Sequence, residues 1–452
     1  MTRKSGIGMM IGGLALGVLL YGCSAGDTQP ASIDHDGSEA LPTTSNGGQS
    51  SVVAEVRSGE LRVTPAPSEA AGAAKSEAAF AFKFLHALSA DENVTFSPHS
   101  LSTAFAMLSD AAAGDTLQEI EDTFSFGATN EAFNRSQDAL DLALAARNRD
   151  ALDDGLIRAD AQVLRGSNDL WLHRDAAPAG SFLDHLARYY GAGVHQADFG
   201  GRPEPCRDAI NAKVSEDTHG LIAELLPSGA IDDSTVAVLT NALYFKAPWE
   251  VPFSAPHAGE FHLLDGGESL AQLLNATRPL DYYEGEGFVS VAVPYYGREL
   301  SLLLVVPDEG RYAEVREQLS GETLAAVVAG LRNETVDLTL PTFALASSLP
   351  VVKHLKSLGL SRAFDKTSAE FPKLQSPKFE QVHLHDVLHQ ATVAIDERGT
   401  EASAATAIRG TGGGSSGPAP EVKVVTADRP FLFVIRDNAS RSLLFVGQVV
   451  KP

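Results

Sequence analysis

Near the C-terminus, an apolar strand continues without a break into an unusually long series of small residues. From Gly399 to Ala407 every side chain is Gly, Thr, Ala or Ser, apart from Glu401. Side chains alternate between the two faces of a strand, and one face of this segment is formed by compact residues only. Those residues are Thr400, Ala402, Ala404 and Thr406. Because Glu401 and Ser403 share the other face, the sequence predicts a segment that can enter an existing sheet between two strands.

The N-terminal residues have the features of an export signal rather than of a folded element. A short basic start precedes an apolar segment from Ile7 to Leu20, and Tyr-Gly-Cys23 follows. This end resembles the bacterial lipobox, so residues 1–22 are interpreted as a lipoprotein signal peptide and Cys23 as the lipidation site. An ordinary secretory signal cleaved near Ala25 is the alternative. We expect an exported protein, held to the membrane of the cell envelope by a lipid anchor, or secreted if the lipobox is not used.

The next segment, residues 23–70, is rich in Ser, Gly, Thr, Ala and Pro and has almost no clustering of aliphatic or aromatic residues. Such a composition buries too little apolar surface to fold, so this segment is predicted to be a flexible tether. From residue 71 to residue 452 the apolar periodic segments are continuous, which predicts one large domain. No other apolar segment approaches the roughly 18 residues that are needed to cross a bilayer.

The chain is acidic, with 35 Lys and Arg against 58 Asp and Glu and a net charge of −23. This charge disfavours nucleic acid as a partner, and we expect a monomer. If Cys23 is lipidated, Cys206 is the one cysteine that remains, and the fold contains no disulfide. A large packed core must then stabilise the exported domain. Neither spacing nor a local basic cluster supports a reactive thiol at Cys206.

Helical patterns lie early in the domain and strand patterns lie late. Ser97 and Pro98 predict the N-cap and the first position of a buried helix. Gly114 ends that helix, and Asp115 with Gln118 predicts a capping box for the next one. The predicted strands are 169–172, 236–245, 289–293, 300–306, 335–346, 390–396, 422–426, 431–436 and 443–449. The fold class is therefore α+β, with large mixed β-sheets and a helical N-terminal part.

Several blocks of sequence, in a fixed order from about Ala78 to Lys451, carry a family resemblance. They include Phe96-Ser-Pro-His-Ser100, Ile210-Asn-Ala-Lys-Val214, Thr240-Asn-Ala-Leu-Tyr-Phe-Lys-Ala-Pro-Trp249, Val293-Pro-Tyr-Tyr-Gly297, Leu340-Pro-Thr-Phe343 and Leu444-Phe-Val-Gly-Gln-Val449. The pattern that begins at Glu397, ahead of Arg429-Pro-Phe-Leu-Phe433, resembles the hinge of a serpin reactive loop. The chain as a whole resembles serpins, and chance agreement over so many blocks is negligible.

The resemblance implies a serpin fold with an exposed reactive loop at about 397–420. It also implies a suicide-substrate inhibitor of serine proteases, with cysteine proteases as a further target class. The protease attacks the loop, and the cleaved loop then inserts into the main sheet before the acyl-enzyme hydrolyses. Insertion must be strongly downhill, so the intact form is expected to be metastable. No catalytic residue and no cofactor are expected in this chain.

Motif matching assigns roles to two sets of residues. The reactive-loop hinge comprises Glu397, Gly399, Thr400, Glu401, Ala402, Ser403, Ala404 and Ala405. The network that governs opening of the sheet comprises Ser97, Ser100, Asn241, Trp249 and His389. The alternative for the polar members is an ordinary hydrogen-bonded core group, and Trp249 could equally be a large core anchor.

The bond that a protease would cleave is placed in a window of small residues. Counting from Glu397 by the usual family spacing reaches Gly413, whereas counting back from Pro420 reaches a position nearer Ser416. The window is Thr411, Gly412, Gly413, Gly414, Ser415 and Ser416, with Gly413 as the best candidate. Small residues suit a protease with a small specificity pocket, like that of elastase or subtilisin. The rival is Arg409, which would indicate a trypsin-like target.

Three other interpretations remain. The principal one is a non-inhibitory serpin that acts as a binding module or protease decoy. A remote one is a lipoprotein hydrolase that uses Ser415, because Gly413-Gly-Ser-Ser-Gly417 matches a nucleophile elbow, although the following prolines cannot begin an ordinary helix. Possible zinc ligands cluster at His383, His385, Asp386 and His389. Since the last of these is already assigned to the sheet network, no metal site is expected.

Overall fold

Every strand predicted from the sequence overlaps a strand of the structure. The computed structural model describes residues 52–153, 158–159, 161–218, 220, 222–400 and 421–452. These residues contain nine α-helices: α1 (Ala71–Ala87), α2 (Pro98–Ser109), α3 (Gly114–Phe124), α4 (Glu131–Ala145), α5 (Gly180–Tyr190), α6 (Pro203–Asp217), α7 (Tyr312–Gln318), α8 (Gly321–Gly330) and α9 (Val351–Ser357). Two short 3-10 helices cover Pro67–Ala70 and Arg362–Phe364.

The strands of the described residues are mostly those of two large sheets. They are β1 (Val53–Val56), β2 (Val94–Phe96), β3 (Leu152–Asp153), β4 (Arg158–Ala159), β5 (Val163–His173), β6 (Ala177–Pro178), β7 (Val194–Ala197), β8 (Ala237–Pro248), β9 (His257–His262), β10 (Glu268–Gly285), β11 (Phe288–Pro294), β12 (Leu300–Pro307), β13 (Arg332–Pro341), β14 (Phe343–Ser348), β15 (Leu374–Gln375), β16 (Leu384–Ile395), β17 (Gly399–Thr400), β18 (Val422–Thr426), β19 (Phe431–Asp437) and β20 (Leu443–Val449).

The first sheet, called the main sheet below, has the strand order β1-β7-β5-β8-β17-β16-β14. It is mixed, because β8 pairs antiparallel with β5 but parallel with β16. The second sheet has the order β18-β13-β10-β11-β12-β19-β20-β2, with β9 paired to β10. The α+β class with large mixed sheets, predicted from the order of patterns, is confirmed.

Helix α2 occupies the interior, where it packs against β5 and β8 of the main sheet and against β20 of the second sheet. All of its residues are buried, including several hydroxyl-bearing ones. Its start is the predicted one, since the Ser97 hydroxyl accepts a hydrogen bond from the Ser100 N–H at 3.1 Å and Pro98 occupies the first turn. The start of this helix contacts β16, because the Ser97 N–H donates a hydrogen bond to His389.

The segment before α1 differs from its prediction. Residues 52–70 were assigned to a flexible tether, but Val53–Val56 forms β1, which pairs antiparallel with β7 at the edge of the main sheet. Pro67–Ala70 then forms a 3-10 helix that leads into α1. The tether prediction is therefore wrong for its last part. A short run of valines was enough to pair with an open sheet edge, although the composition averaged over the whole segment is that of a linker.

Residues 1–51, with the predicted signal peptide and Cys23, lie outside the described residues. In the part of the chain that the structure describes, no helix is both long and apolar enough to cross a lipid bilayer.

Candidate functional site

The candidate site is the boundary between β8 and β16 in the main sheet. These two strands pair directly, in parallel, from Leu384 with Ala237 to Ala391 with Leu243. Direct pairing ends at Ala391 and Leu243, and β17 lies between the two strands farther along, beside Ala247, Pro248 and Ile395. Gly399 there pairs with Pro248 of β8, and Thr400 pairs both with Ala247 of β8 and with Ile395 of β16. The main sheet is thus closed along its lower part and already split at its upper end, where β17 lies.

Glycine is required at position 399 because the chain approaches the neighbouring strand very closely. A Cβ atom added there would lie 2.8 Å from the Pro248 Cα and even closer to the Ala247 carbonyl oxygen. Both are backbone atoms, so neither can rotate away as a long side chain would. The sequence Gly399-Thr400 therefore fits a narrow slot between the two strands.

Thr400 is fully buried and is held from within the sheet. Its hydroxyl lies 2.7 Å from the hydroxyl of Tyr295, and the Tyr295 ring stacks on Trp249 with centroids 4.5 Å apart. The Trp249 indole N–H donates to the carbonyl oxygen of Asp396 at 2.9 Å. Burial raises the pKa of Tyr295, so its hydroxyl stays protonated. These contacts fix the start of the hinge in the upper end of the sheet.

The predicted hinge is thereby divided into two parts. Gly399 and Thr400 were assigned to an exposed loop, and this is wrong for both residues, because backbone pairing and the Tyr295 hydroxyl hold them inside the sheet. Glu397 lies just before them and is half-buried. The remaining hinge residues, Glu401, Ala402, Ser403, Ala404 and Ala405, lie outside the described residues.

Below the split, a chain of hydrogen bonds crosses the closed part of the sheet. The Ser97 N–H, at the start of α2, donates to the Nε2 atom of His389 at 3.0 Å. The Nε2 atom is therefore unprotonated, and Nδ1 carries the proton that His389 donates to the Asn241 Oδ1 atom at 2.6 Å. Asn241 in turn donates from its amide to Asn168 of β5. One continuous chain thus joins α2, β16, β8 and β5.

His389 is fully buried, and burial lowers its pKa to about 3. A charged imidazolium would also have no acceptor for its second proton, because the Nε2 atom faces an N–H donor. The hydrogen-bond chain therefore depends on a neutral histidine in one tautomer, and this neutral form persists at physiological pH.

Of the five residues predicted to govern sheet opening, the structure links three directly: Ser97, Asn241 and His389. Trp249 lies at the upper end beside β17. The hydroxyl of Ser100 is buried and has no hydrogen-bond partner among the described residues, so it does not belong to the chain. Sequence reasoning missed Asn168 and Tyr295, although Tyr295 lies within one of the blocks that carried the family resemblance.

Some of the other sequence hypotheses concern residues that the structure describes, and others do not. Thr411, Gly412, Gly413, Gly414, Ser415 and Ser416 lie outside the described residues, as does Arg409. Within the described ranges, no three His, Cys, Asp or Glu side chains are grouped so that they could hold a metal ion. Cys206 is buried in α6, and burial raises the pKa of its thiol, which keeps it in the unreactive protonated form.

Comparisons with known proteins agree with this architecture. Residues 75–452 match the family model described as serpin, serine protease inhibitor. Plasminogen activator inhibitor 1 of Bos taurus is 30% identical over 377 residues, which cover 80% of this chain and 88% of that protein. The native-state crystal structure of tengpin, a thermophilic serpin, superposes with a TM-score of 0.76 at 25% identity and covers 88% of this chain and 100% of its own. Thyroxine-binding globulin in complex with thyroxine superposes with a TM-score of 0.71 at 24% identity, covering 84% and 99%.

The chain belongs to the serpin family, whose model matches it over most of its length.

Proposed function

We propose that this protein inhibits serine proteases as a suicide substrate, by inserting its cleaved reactive loop into the main sheet. The observation that carries the proposal is the position of Gly399 and Thr400, which already lie between β8 and β16. Two residues of the loop thus set the register in which the following residues would enter. Insertion would lengthen an existing strand rather than begin a new one, which avoids the cost of starting strand pairing.

Continuing that register gives a specific inserted strand. Thr400 faces the buried side, so Ala402, Ala404, Thr406 and Ile408 would face the core as well. All of these residues are small or apolar. Glu401, Ser403, Ala405, Ala407 and Arg409 would then face the outer side. The alternation of residue types therefore agrees with the alternation that the pairing of Gly399 and Thr400 imposes.

The same register brings two loop residues to defined partners. Thr406 would lie between Asn241 of β8 and His389 of β16, where its hydroxyl could replace the hydrogen bond that the two side chains now share. Arg409 would lie next to Asp386 of β16, a partly buried carboxyl whose pKa is raised by burial. A guanidinium beside it would favour the ionised form. The loop thus carries a replacement for the bond that it breaks.

The target is proposed to be a serine protease with a small specificity pocket, like that of elastase or subtilisin, because the window from Thr411 to Ser416 contains only small residues. Cleavage after Arg409 by a trypsin-like protease is the rival. Mass spectrometry of the released C-terminal fragment separates the two. A new N-terminus within residues 412–417 supports the small-residue target, and one at Gly410 overturns it.

One experiment tests the inhibitory function itself. The purified protein is mixed with elastase-like, subtilisin-like and trypsin-like proteases, and the products are separated by denaturing electrophoresis. We expect a covalent complex and, for the cleaved protein, a melting temperature well above that of the intact protein. Cleavage without a complex would indicate a decoy or binding module, an alternative favoured by the likeness to thyroxine-binding globulin. Ester turnover without cleavage would indicate a hydrolase that uses Ser415.

We further propose export and lipid anchoring through Cys23, on the strength of the apolar segment and lipobox-like end described above. Replacing Cys23 with Ala should move the protein from the membrane fraction to the soluble fraction, since the lipid is the one anchor that the sequence indicates. Unchanged fractionation would overturn this proposal and leave the inhibitory function untouched.

A further inference from the structure

Residues 52–66, called the clamp segment below, cross the surface between α4, α5 and β7. At one end, β1 pairs with β7, and the Val52 carbonyl accepts a hydrogen bond from Asp198 at 3.0 Å. Farther along, Ser58 donates to Asp184 of α5 at 2.5 Å. The Val63 N–H donates to the Arg188 carbonyl of the same helix at 2.8 Å. The clamp segment is therefore fixed to β7 and to α5.

Arg62 fixes the same segment to α4. Its guanidinium donates from Nε to Asp138 at 2.6 Å and from Nη2 to Asp141 at 2.5 Å. The Asp138 side chain is fully buried, and its second oxygen has no hydrogen-bond partner among the described residues. Burial raises the pKa of Asp138, an effect that the Arg62 guanidinium opposes. The buried carboxylate thus depends on Arg62 for its compensation.

The clamp segment is attached both to β7 and α5 and to α4. A strand that inserts between β8 and β16 pushes β8 away from β16, and β5, β7 and β1 must follow β8 because they are hydrogen-bonded in sequence. Helix α4 also contacts α5 and β5, but it packs mainly on α1 and on the 3-10 helix that precedes α1, and α1 packs on β20 of the second sheet. The clamp segment thus joins β7, which must follow β8, to a helix that packs mainly on α1.

We propose that Arg62 and Asp138 are positioning residues for loop insertion, which hold the main sheet closed through the clamp segment until the loop is cleaved. This inference rests on the proposed inhibitory function. Loosening the Arg62–Asp138 pair lowers the barrier to separating β8 from β16, so an uncleaved loop inserts sooner and the inhibitor inactivates itself. The strap-like course of residues 52–66 thereby becomes a determinant of how long the active form survives.

The test compares two arginines whose salt bridges involve α4: Arg62 of the clamp segment and Arg135 of the helix itself. Arg62→Ala removes the pair that joins the clamp segment to α4. Arg135→Ala removes an equally direct pair, in which both guanidinium donors lie 2.8 Å from the Glu69 carboxylate. That control pair joins α4 to the 3-10 helix and does not cross to α5 or β7. The full-length intact protein is incubated with mild heating, and conversion to a form of raised melting temperature is followed over time.

We expect Arg62→Ala to convert at least about tenfold faster than the wild type and Arg135→Ala within about twofold of it. Hydrogen exchange of the β16 amides that pair with β8, from Val387 to Ala391, should lose protection by a similar factor in Arg62→Ala. Equal conversion rates for wild type and Arg62→Ala would overturn the proposal. So would an Arg135→Ala rate that matches that of Arg62→Ala, because this would mean a general loosening of α4.

Arg62→Lys keeps a cation beside Asp138 but loses the planar fork that donates from two nitrogens to Asp138 and Asp141, so its rate should lie between those of the wild type and Arg62→Ala. If Arg62→Ala does not fold, Arg62→Lys carries the test, and a wild-type conversion rate then overturns the proposal. Failure of the proposed function is recognised separately. In that case loop cleavage does not raise the melting temperature of the wild-type protein, whatever the Arg62 variants do.

Discussion

The upper and lower parts of the β8–β16 boundary are held together by different kinds of contact. At the upper end, β17 separates the strands, and the contacts are backbone pairs, a buried hydroxyl pair and a stacked Tyr295–Trp249 platform. Below Leu243, the strands pair with each other and a side-chain hydrogen-bond chain from Ser97 to Asn168 crosses them. The upper end therefore depends on small residues that fit between the strands, whereas the lower part depends on a neutral His389 in one tautomer.

In the proposed mechanism, this difference indicates which loop residues would have to break existing contacts. The first two loop residues displace nothing, because the strands are already apart there. In the register set by Thr400, Ala404 would be the first residue to break a direct strand pair, that of Leu243 with Ala391, and Thr406 would break the bond between Asn241 and His389. The proposed resistance to opening therefore lies in the direct strand pairs from Leu243 and Ala391 downward and in the hydrogen bond between Asn241 and His389.

The largest effect is expected from Thr400→Arg, which places an unpaired cation in the upper slot beside Tyr295. Burying such a charge costs on the order of 3–5 kcal/mol, so the seeded strand should leave the sheet and insertion should slow. The inhibitor should become a substrate, with the stoichiometry of inhibition raised at least about tenfold. Titration of a protease with the variant measures this ratio.

The matched control is Ser403→Arg, because residue 403 would face the outer side in the register set by Thr400. This variant should keep a stoichiometry near that of the wild type. If both variants fail equally, the alternation of faces is wrong. If Thr400→Arg still traps protease as the wild type does, strand insertion is not the mechanism of this chain.

A substitution that breaks the hydrogen-bond chain in the lower part should destabilise the intact form more than the cleaved form. Asn241→Ala leaves His389 and Asn168 without their shared partner, which should destabilise the intact form by about 2–4 kcal/mol. The cleaved form should lose less, since the Thr406 hydroxyl would remain as a partner for His389. Thermal unfolding of both forms measures the difference, and an equal loss in both would argue against the proposed register.

Lowering the pH should destabilise the lower part of the β8–β16 boundary. In the unfolded chain a histidine takes up its proton near pH 6.5, whereas burial lowers the pKa of His389 to about 3 in the folded chain. The stability contributed by neutral His389 is therefore fully present above pH 6.5 and is lost progressively as the pH falls towards 3. The melting temperature of His389→Gln, followed over the same pH range, should decline less than that of the wild type. Parallel curves would contradict the role of His389.

The smallest expected effect concerns Arg409 and Asp386. In the inserted register the two side chains are neighbours on the outer face, so a double-mutant cycle with Arg409→Ala and Asp386→Asn should give a coupling of about 0.2–1 kcal/mol in the cleaved form. The intact form should show none. Coupling of equal size in both forms would place Arg409 near Asp386 before cleavage and would contradict the comparison between the two parts of the sheet.

Local sequence signals predicted those features that depend on neighbouring residues. Ser97 and Pro98 begin α2 as expected, because a cap acts on backbone groups within one turn. The predicted capping box of Asp115 and Gln118 is wrong. Glu370, distant in the chain, accepts from the Asp115 N–H at 2.9 Å and serves the start of α3 instead. A side chain brought by the fold replaced the local one.

The residues of the candidate site also divide into those that the sequence predicted and those that only the structure reveals. Asn241 and His389 were predicted through the resemblance to serpins, but Asn168 carries no signal of its own, and only the pairing of β5 with β8 brings it opposite Asn241. The clamp segment was missed because its few valines are diluted in a linker-like composition, while the open edge of β7 that they cover is formed by distant residues.

The sequence by itself determined the α+β class, the family and the compact alternating face of the hinge, because these follow from residue types and their spacing along the chain. Only the tertiary structure decided that Gly399 and Thr400 already lie in the sheet, that His389 is neutral in one tautomer, and that Arg62 compensates the buried Asp138. Each of these depends on distances between segments far apart in the chain. Such distances are set by the packing of the whole core and leave no trace in local periodicity.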